Sequence, residues 1–204
     1  MNIRAEIKTR AKAVFTRQYG ISIGAYILFI VIVSASSGIS AGLGALFIVP
    51  PMLVGYSWFC LQIWRGQQGD VGGMFSKGFS DYGRHLGGIL WMELFVFLWT
   101  LLFIVPGIIK SLAYSMTPFI LADCPNVRAT DALKLSMRMT KGRKGQVFVM
   151  YLSFIGWMLL SGLTCGILDL LFVGPYMNTS IAGLYESLRQ DAITSGAIRP
   201  EELV

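Results

Sequence analysis

The ten residues "LLFIVPGIIK" (101–110) hold a proline and a glycine in the middle of a strongly apolar run. Proline lacks an N–H and has a fixed φ, so it disrupts a helix interior but suits the first turn of a helix. The tetrapeptide FIVP also occurs earlier, in "ALFIVPPMLV" (45–54). We therefore interpret the motif as a turn at which one apolar helix ends and the next begins.

The whole chain is far more apolar than an ordinary soluble domain. Of its 204 residues, 54% are hydrophobic and 14% are charged, and the mean hydropathy is +0.63. A helix crosses a bilayer with ~20 predominantly apolar residues. Six windows of about that length follow one another: 20–37, 43–64, 86–105, 107–123, 146–163 and 166–186. The sequence predicts an all-α integral membrane protein with six transmembrane helices.

The net charge of +6 comes from residues at the ends of these spans. Every Lys and Arg except Lys110 lies before the first span, between the second and third, between the fourth and fifth, or after the sixth. This is the positive-inside pattern, and it predicts that both termini are cytoplasmic. Basic residues placed in this way orient the chain, and we expect no nucleic acid as a partner.

An internal repeat supports three helical hairpins. Residues 20–50 align with 145–175 without a gap, and the matches include Tyr26 with Tyr151 and Ser36 with Ser161. We predict parallel repeats of approximately 1–66, 74–125 and 126–188, in one polytopic membrane domain (1–204) with a polar, mobile cytoplasmic tail at 189–204. The turn positions would be Pro50, Pro106 with Gly107, and Pro175.

Two cytoplasmic segments show helical amphipathicity, one at the N-terminus and one after the fourth span. Helices of this kind lie on the inner leaflet with their cations near anionic lipid headgroups. The alternative is that the charges only orient the chain and have no lipid specificity. The candidate lipid contacts are Arg4, Lys8, Lys12, Arg128, Lys134, Arg138 and Lys141.

Ionisable groups inside a bilayer are costly, and they are candidates for a function. Glu93 lies eight residues beyond His85, about 12 Å along a helix. It would serve either as an ion or proton contact or as a buried hydrogen-bonding group between helices. Lys110 and Asp169 are expected near the outer face, where they would approach each other or share a polar vestibule. The alternative is that each reaches water separately.

The sequence contains no recognisable catalytic or metal motif. Its single histidine, His85, does not allow a His-based metal site or a Ser-His-Asp triad, and its three cysteines have no CxxC spacing. It has no phosphate-binding glycine motif either. We therefore predict no cofactor, no metal and no enzymatic activity. Within the fourth span, Pro118 is expected to kink the helix.

Three stretches resemble a known bacterial membrane family, domain of unknown function 975 (DUF975). They are "LLFIVPGIIKSLAYSMTPFILADCP" (101–125), "LSMRMTKGRKGQVFVMYLSFIGWMLLS" (135–161) and "PYMNTSIAGLYESL" (175–188). The resemblance implies a bacterial cytoplasmic-membrane protein with about six spans, and it brings no activity with it.

Two functional hypotheses follow. The one favoured by the scarcity of buried charge is a non-enzymatic accessory or protective membrane component, with an unidentified membrane-protein partner left open. The other is a small solute or proton transporter or channel that uses Glu93, Lys110 and Asp169. The oligomeric state also stays open, because the bundle could be complete alone or pair through its Gly and Ser faces.

Overall fold

The computed structural model describes residues 3–38 and 43–203, and this part of the chain is all-helical, without strands. The α-helices are α1 (Ile3–Arg17), α2 (Tyr19–Gly38), α3 (Leu43–Trp64), α4 (Val71–Ser80), α5 (Tyr82–Leu102), α6 (Ile104–Tyr114), α7 (Thr117–Asp123), α8 (Ala129–Thr140), α9 (Lys144–Leu152), α10 (Ile155–Leu163) and α11 (Gly174–Thr194). A π-helical turn at Asp169–Val173 precedes α11, and a 3-10 turn at Pro200–Leu203 follows it.

Five segments of the described residues are long and apolar enough to cross a membrane: Tyr19–Gly38, Leu43–Trp64, Tyr82–Leu102, Ile104–Asp123 and Lys144–Leu163. They correspond to the first five predicted spans and indicate a membrane-embedded protein. The predicted sixth span coincides with the π-helical turn and α11, which does not meet the same criteria. α11 is the more polar helix, and protein surrounds it, since residues such as Thr179, Ser180 and Tyr185 are buried.

Pro50 does not mark a turn, which corrects the sequence-based prediction. Pro50 and Pro51 both lie inside α3, which is helical on either side of them. Because Pro51 has no N–H, the carbonyl of Phe47 four residues earlier loses its usual helical donor. The hydroxyl of Tyr82 donates to that carbonyl at 3.1 Å. A residue from the start of α5 thus supplies the missing hydrogen bond.

Tyr82 reaches Phe47 because α4 runs back along α3. Gly73 lies against Trp58, and Gly78 lies against the carbonyl of Pro51. The segment between the second and third predicted spans is therefore packed along α3 instead of extending from its end.

Pro106 lies in the first turn of α6, directly after the break at Phe103 between α5 and α6. Gly107 is helical, so a permissive backbone angle is not its role. A Cβ atom at Gly107 would lie 2.2 Å from Oγ1 of Thr100 in α5. The absence of a side chain therefore allows α5 and α6 to pack closely beside their turn.

Pro175 does not form a turn either. The chain reverses earlier, at Cys165 and Gly166, where φ is 52° and 83°. Pro175 follows the π-helical turn directly, in the first turn of α11. Within that turn the N–H of Gly174 donates to the carbonyl of Asp169, five residues back. The π-helical turn has one residue more than an α-helical turn, and it lies directly before Pro175, which has no N–H to donate.

The fourth span is interrupted where Pro118 was expected to kink it. α6 ends at Tyr114, and α7 begins at Thr117 with Pro118 in its first turn.

The two amphipathic helices, α1 and α8, turn their apolar sides towards protein. Ile7, Ala11 and Phe15 of α1 are buried, and so are Ala132, Leu133, Ser136 and Thr140 of α8. These side chains pack against other helices of the structure.

The C-terminal segment is docked, although its polar composition predicted a mobile tail. Ile198 and Leu203 are buried, with 1% and 5% of their surface exposed. Arg138 of α8 donates to the carbonyl of Ala197 at 2.6 Å and pairs with Glu202 at 2.7 Å. The segment after α11 therefore belongs to the packed structure.

The three predicted units differ in their packing. α2 packs against α3, and α5 packs against α6. In the third unit α10 contacts the π-helical turn, whereas α11 packs mainly on α1 and α3. α11 therefore makes its main helix contacts with elements from the first part of the chain.

Candidate functional site: a cavity around Glu93

A cavity of about 440 Å³ lies between α3, α5, α6, α7, α9 and α11. Its apolar lining comes mainly from Leu, Met, Val, Phe, Pro and Ile side chains. Its polar lining consists of Ser57, Glu93, Ser111, Tyr114, Ser115, Tyr151 and Asn178. An apolar cavity with a few converging polar groups is the usual form of a small-molecule site.

Glu93 is the only ionisable carboxylate of this lining, and the residue is also exposed at the surface of the structure. Among the described residues it forms neither a hydrogen bond nor an ion pair, since none of the cations in the structure lies within reach of its oxygens. A carboxyl group in an apolar surrounding needs a cation, a proton or a hydrogen-bond donor. The cavity therefore contains one acidic group, Glu93, that has no hydrogen-bond or ion-pair partner among the described residues.

The neighbouring polar groups are also acceptors. The hydroxyls of Ser57, Ser111 and Ser115 donate to carbonyls of their own helices at 2.8–2.9 Å. The side-chain amide of Asn178 likewise donates to the carbonyl of Gly174 at 2.9 Å. The serine hydroxyls therefore offer their remaining oxygen lone pairs to a ligand, whereas Tyr114, Tyr151 and the second amide N–H of Asn178 can still donate. The carboxylate of Glu93 favours a ligand that is cationic or rich in hydrogen-bond donors, and the serine oxygens can bind the same ligand.

Lys110 does not take part in this cavity, and it does not pair with Asp169. Its ammonium group lies 5.1 Å from the ring centroid of Trp99 and 5.8 Å from that of Tyr114. It also contacts the sulfur of Met137 at 3.9 Å. Lys110 is thus held by aromatic faces, which attract a cation.

Asp169 has a different partner. The hydroxyl of Tyr26 donates to its carboxylate at 2.8 Å. The Tyr26 ring lies against Gly174, where a Cβ atom would be only 2.2 Å from it. Lys110 and Asp169 therefore form no ion pair with each other, since each of them binds a separate group, and a shared polar vestibule stays a prediction.

A cluster of charges at the end of α3 was not predicted as a unit from the sequence. Arg65 pairs with Asp123 and Glu186, both at 2.7 Å, and Tyr185 donates to Asp123 at 3.1 Å. Burial opposes the charge of Arg65, but the two carboxylates outweigh it and raise the Arg65 pKa. Burial, with a contribution from Asp123, raises the pKa of the Cys124 thiol to about 11. This cluster joins the ends of α3 and α7 to the middle of α11.

Arg84 terminates α7 from outside that helix. Its guanidinium donates to the carbonyls of Leu121, Cys124 and Val127 at 2.9–3.0 Å. The last carbonyls of a helix lack intrahelical donors, and a cation there also interacts favourably with the helix dipole. Beside it, His85 contacts the carbonyl of Gly78 at 2.6 Å. These residues are structural and lie outside the cavity.

The described residues contain no group of three His, Cys, Asp or Glu side chains that could hold a metal ion. Comparison with known proteins gives one match. The family described as "Protein of unknown function (DUF975)" matches residues 82–192, more than half of the chain. No curated protein and no solved structure matches.

Proposed function

Because this chain belongs to the DUF975 family, whose members are described as proteins of unknown function, we propose a function from its own residues. It is a non-enzymatic membrane protein that binds a small cationic solute or a proton at Glu93 and carries it through the bundle. We further propose a bacterial cytoplasmic membrane as its location, with six spans and both termini in the cytoplasm, following the distribution of Lys and Arg.

One observation carries this proposal: Glu93 lines the cavity without a partner among the described residues. A structural role for Glu93 would require a hydrogen bond to a neighbouring helix. The surrounding Ser and Asn side chains have already donated to their own backbones. The arrangement supports a site for a mobile cation more than a packing contact.

The second candidate is the accessory or protective membrane component. It is favoured by the positions of Lys110 and Asp169, which are bound elsewhere and do not extend the polar lining. A transport path through Glu93 would then rely on a single charged residue. Measuring flux separates the two candidates.

The test is flux into liposomes that contain the purified protein. Proton movement is followed with an enclosed pH-sensitive dye, and cation movement with radiolabelled tetraethylammonium. We expect flux for the wild-type protein, and a loss of about tenfold or more for Glu93→Gln, which cannot neutralise a cation. Glu93→Asp keeps the charge and should retain part of the flux.

The matched control is Glu6→Gln, which removes an exposed carboxylate of α1 that does not line the cavity. It should leave the flux unchanged. All variants must elute as one monodisperse peak before reconstitution. Absence of flux in the wild-type protein, or equal flux in Glu93→Gln, would overturn the transport proposal and leave the accessory component.

A further inference from the structure

A second cavity, of about 520 Å³, lies between α1, α9 and α11, away from Glu93. Its floor is apolar and reaches the surface. Ile7, Met150 and Leu184 are buried, whereas Ile3 and Val149 are 46% and 38% exposed. A continuous apolar floor of this kind can accommodate a hydrocarbon chain.

The polar side of this cleft carries positive charge. Arg4 lines it, is half-buried, and pairs with no carboxylate of the described residues. Gly145 and Gln146, in the first turn of α9, line it as well. The space beside Gly145 is open, since a Cβ atom there would meet nothing within 4 Å. The N–H groups of Gln146 and Val147 donate to the carbonyl of Arg143, and the dipole of α9 adds a partial positive charge to that of Arg4.

Two neighbouring cavities differ from this cleft in charge. The cavity on the other side of α1 contains Arg10 but also Glu6 and Glu186. The cavity beside α8 contains Asp131, Glu201 and Glu202 together with its basic residues. In both, carboxylates balance the cations. The α1–α9 cleft has no acidic residue in its lining, so its positive charge is unbalanced.

The cleft is also held in shape, because Lys8 ties α1 to the end of α9. The Lys8 ammonium lies 4.2 Å from the centroid of the Phe154 ring and donates to the carbonyl of Ser153 at 3.4 Å. Burial, and then the charge of Arg4, lower the Lys8 pKa. Lys8 therefore contacts the junction of α9 and α10, and Arg4 remains the side chain available to a ligand.

We propose that this cleft binds one anionic phospholipid, with its phosphate at Arg4 and the first turn of α9 and an acyl chain on the apolar floor. The unbalanced positive charge selects a lipid with a net negative headgroup. The apolar floor selects a lipid over free phosphate, because hydrocarbon buried there leaves water.

The test is native mass spectrometry of the protein released from nanodiscs that contain equal amounts of phosphatidylglycerol and phosphatidylcholine with the same acyl chains. We expect the wild-type protein to retain one phosphatidylglycerol in preference to phosphatidylcholine. Arg4→Gln should lower that retention about fivefold, the factor that corresponds to the roughly 1 kcal/mol of one basic residue near anionic lipid. Arg17→Gln is the control, since Arg17 is an exposed arginine of the same helix outside the cleft.

A second variant tests the floor without changing charge. Val149→Trp fills the cleft from a partly exposed position, and it should abolish retention of phosphatidylglycerol. Equal retention of the two lipids, an equal loss in Arg17→Gln, or full retention in Val149→Trp would overturn the proposal. So would displacement of the lipid by inorganic phosphate, which would identify free phosphate as the ligand. None of these outcomes depends on flux through the Glu93 cavity.

Discussion

The contact between α3 and α4 gives the sharpest prediction for stability. At Gly55 of α3 a Cβ atom would lie 2.1 Å from the carbonyl oxygen of Met74 and 3.1 Å from Cα of Gly78. Carbon and oxygen atoms of neighbouring helices normally stay at least ~3.3 Å apart. Both neighbours are backbone atoms, so no side-chain rotation relieves the clash. Gly55→Ala must therefore push α4 away from α3 by about 1 Å.

Overpacking of this kind costs ~1–3 kcal/mol, and we expect the upper end because the backbone has to move. For a chain of this size 1 kcal/mol corresponds to ~2–4 °C, so the unfolding midpoint should fall by ~6–12 °C. The assay is heating in detergent with a thiol-reactive dye, since Cys60 and Cys124 are buried and react on unfolding. The exposed Cys165 is replaced by Ser in every variant.

The matched control is Gly87→Ala in α5. A Cβ atom at Gly87 would meet nothing within 4 Å, so the added methyl group has room. Alanine also favours a helix over glycine by up to ~1 kcal/mol, so this variant should be as stable as the wild type or more so. If Gly55→Ala melted no lower than Gly87→Ala, the close packing of α3 on α4 would be refuted.

Two further predictions concern charges. Asp123→Asn removes a carboxylate that is 10% exposed and pairs with Arg65 at 2.7 Å. The free energy of unfolding should therefore fall by ~3 kcal/mol in the same assay. The control is Asp131→Asn, which should lower the free energy of unfolding by less than ~1 kcal/mol because the pair of Asp131 with Lys134 is exposed. Hydrogen bonding to Arg138 lowers the pKa of Glu202 to about 2, so its contribution to docking of the C-terminal segment is complete above the ordinary carboxyl pKa and is lost as the pH falls towards 2. A nitroxide attached to Glu201→Cys, with Cys165 replaced by Ser, should be immobile near neutral pH and mobile in acid. With Arg138→Gln added, the nitroxide should be mobile at both pH values. An electron paramagnetic resonance spectrum that does not change in acid would contradict this role of Glu202.

Features set by short stretches of sequence were predictable. Five spans follow from apolar length, and the helix break before Pro106 follows from the missing N–H of proline. The amphipathicity of the segment after the fourth span also predicted a helix, α8, which buries Ala132, Leu133 and Ser136 on one side. Periodicity defines a face, but it does not say whether lipid or protein covers that face.

Features that depend on distant residues were not predictable in this way. Pro50 and Pro51 remain inside a helix because Tyr82, far along the chain, donates to the carbonyl of Phe47. The cavity around Glu93 is similar, since six helices contribute to it. The sequence places Glu93 within an apolar helix, but the surroundings of Glu93 depend on how α3, α9 and α11 pack.

The cap that Arg84 forms on α7 has a consequence for how the chain is made. The carbonyls that it binds come 37, 40 and 43 residues later in the sequence. At a synthesis rate of ~5–20 residues per second, the ribosome delivers them several seconds after Arg84. During that interval the guanidinium has no partner at these carbonyls, and water can solvate it because Arg84 is one of the basic residues predicted to lie on the cytoplasmic side. We therefore expect α7 to gain this cap late, once the chain as far as Val127 has left the ribosome and met the start of α5.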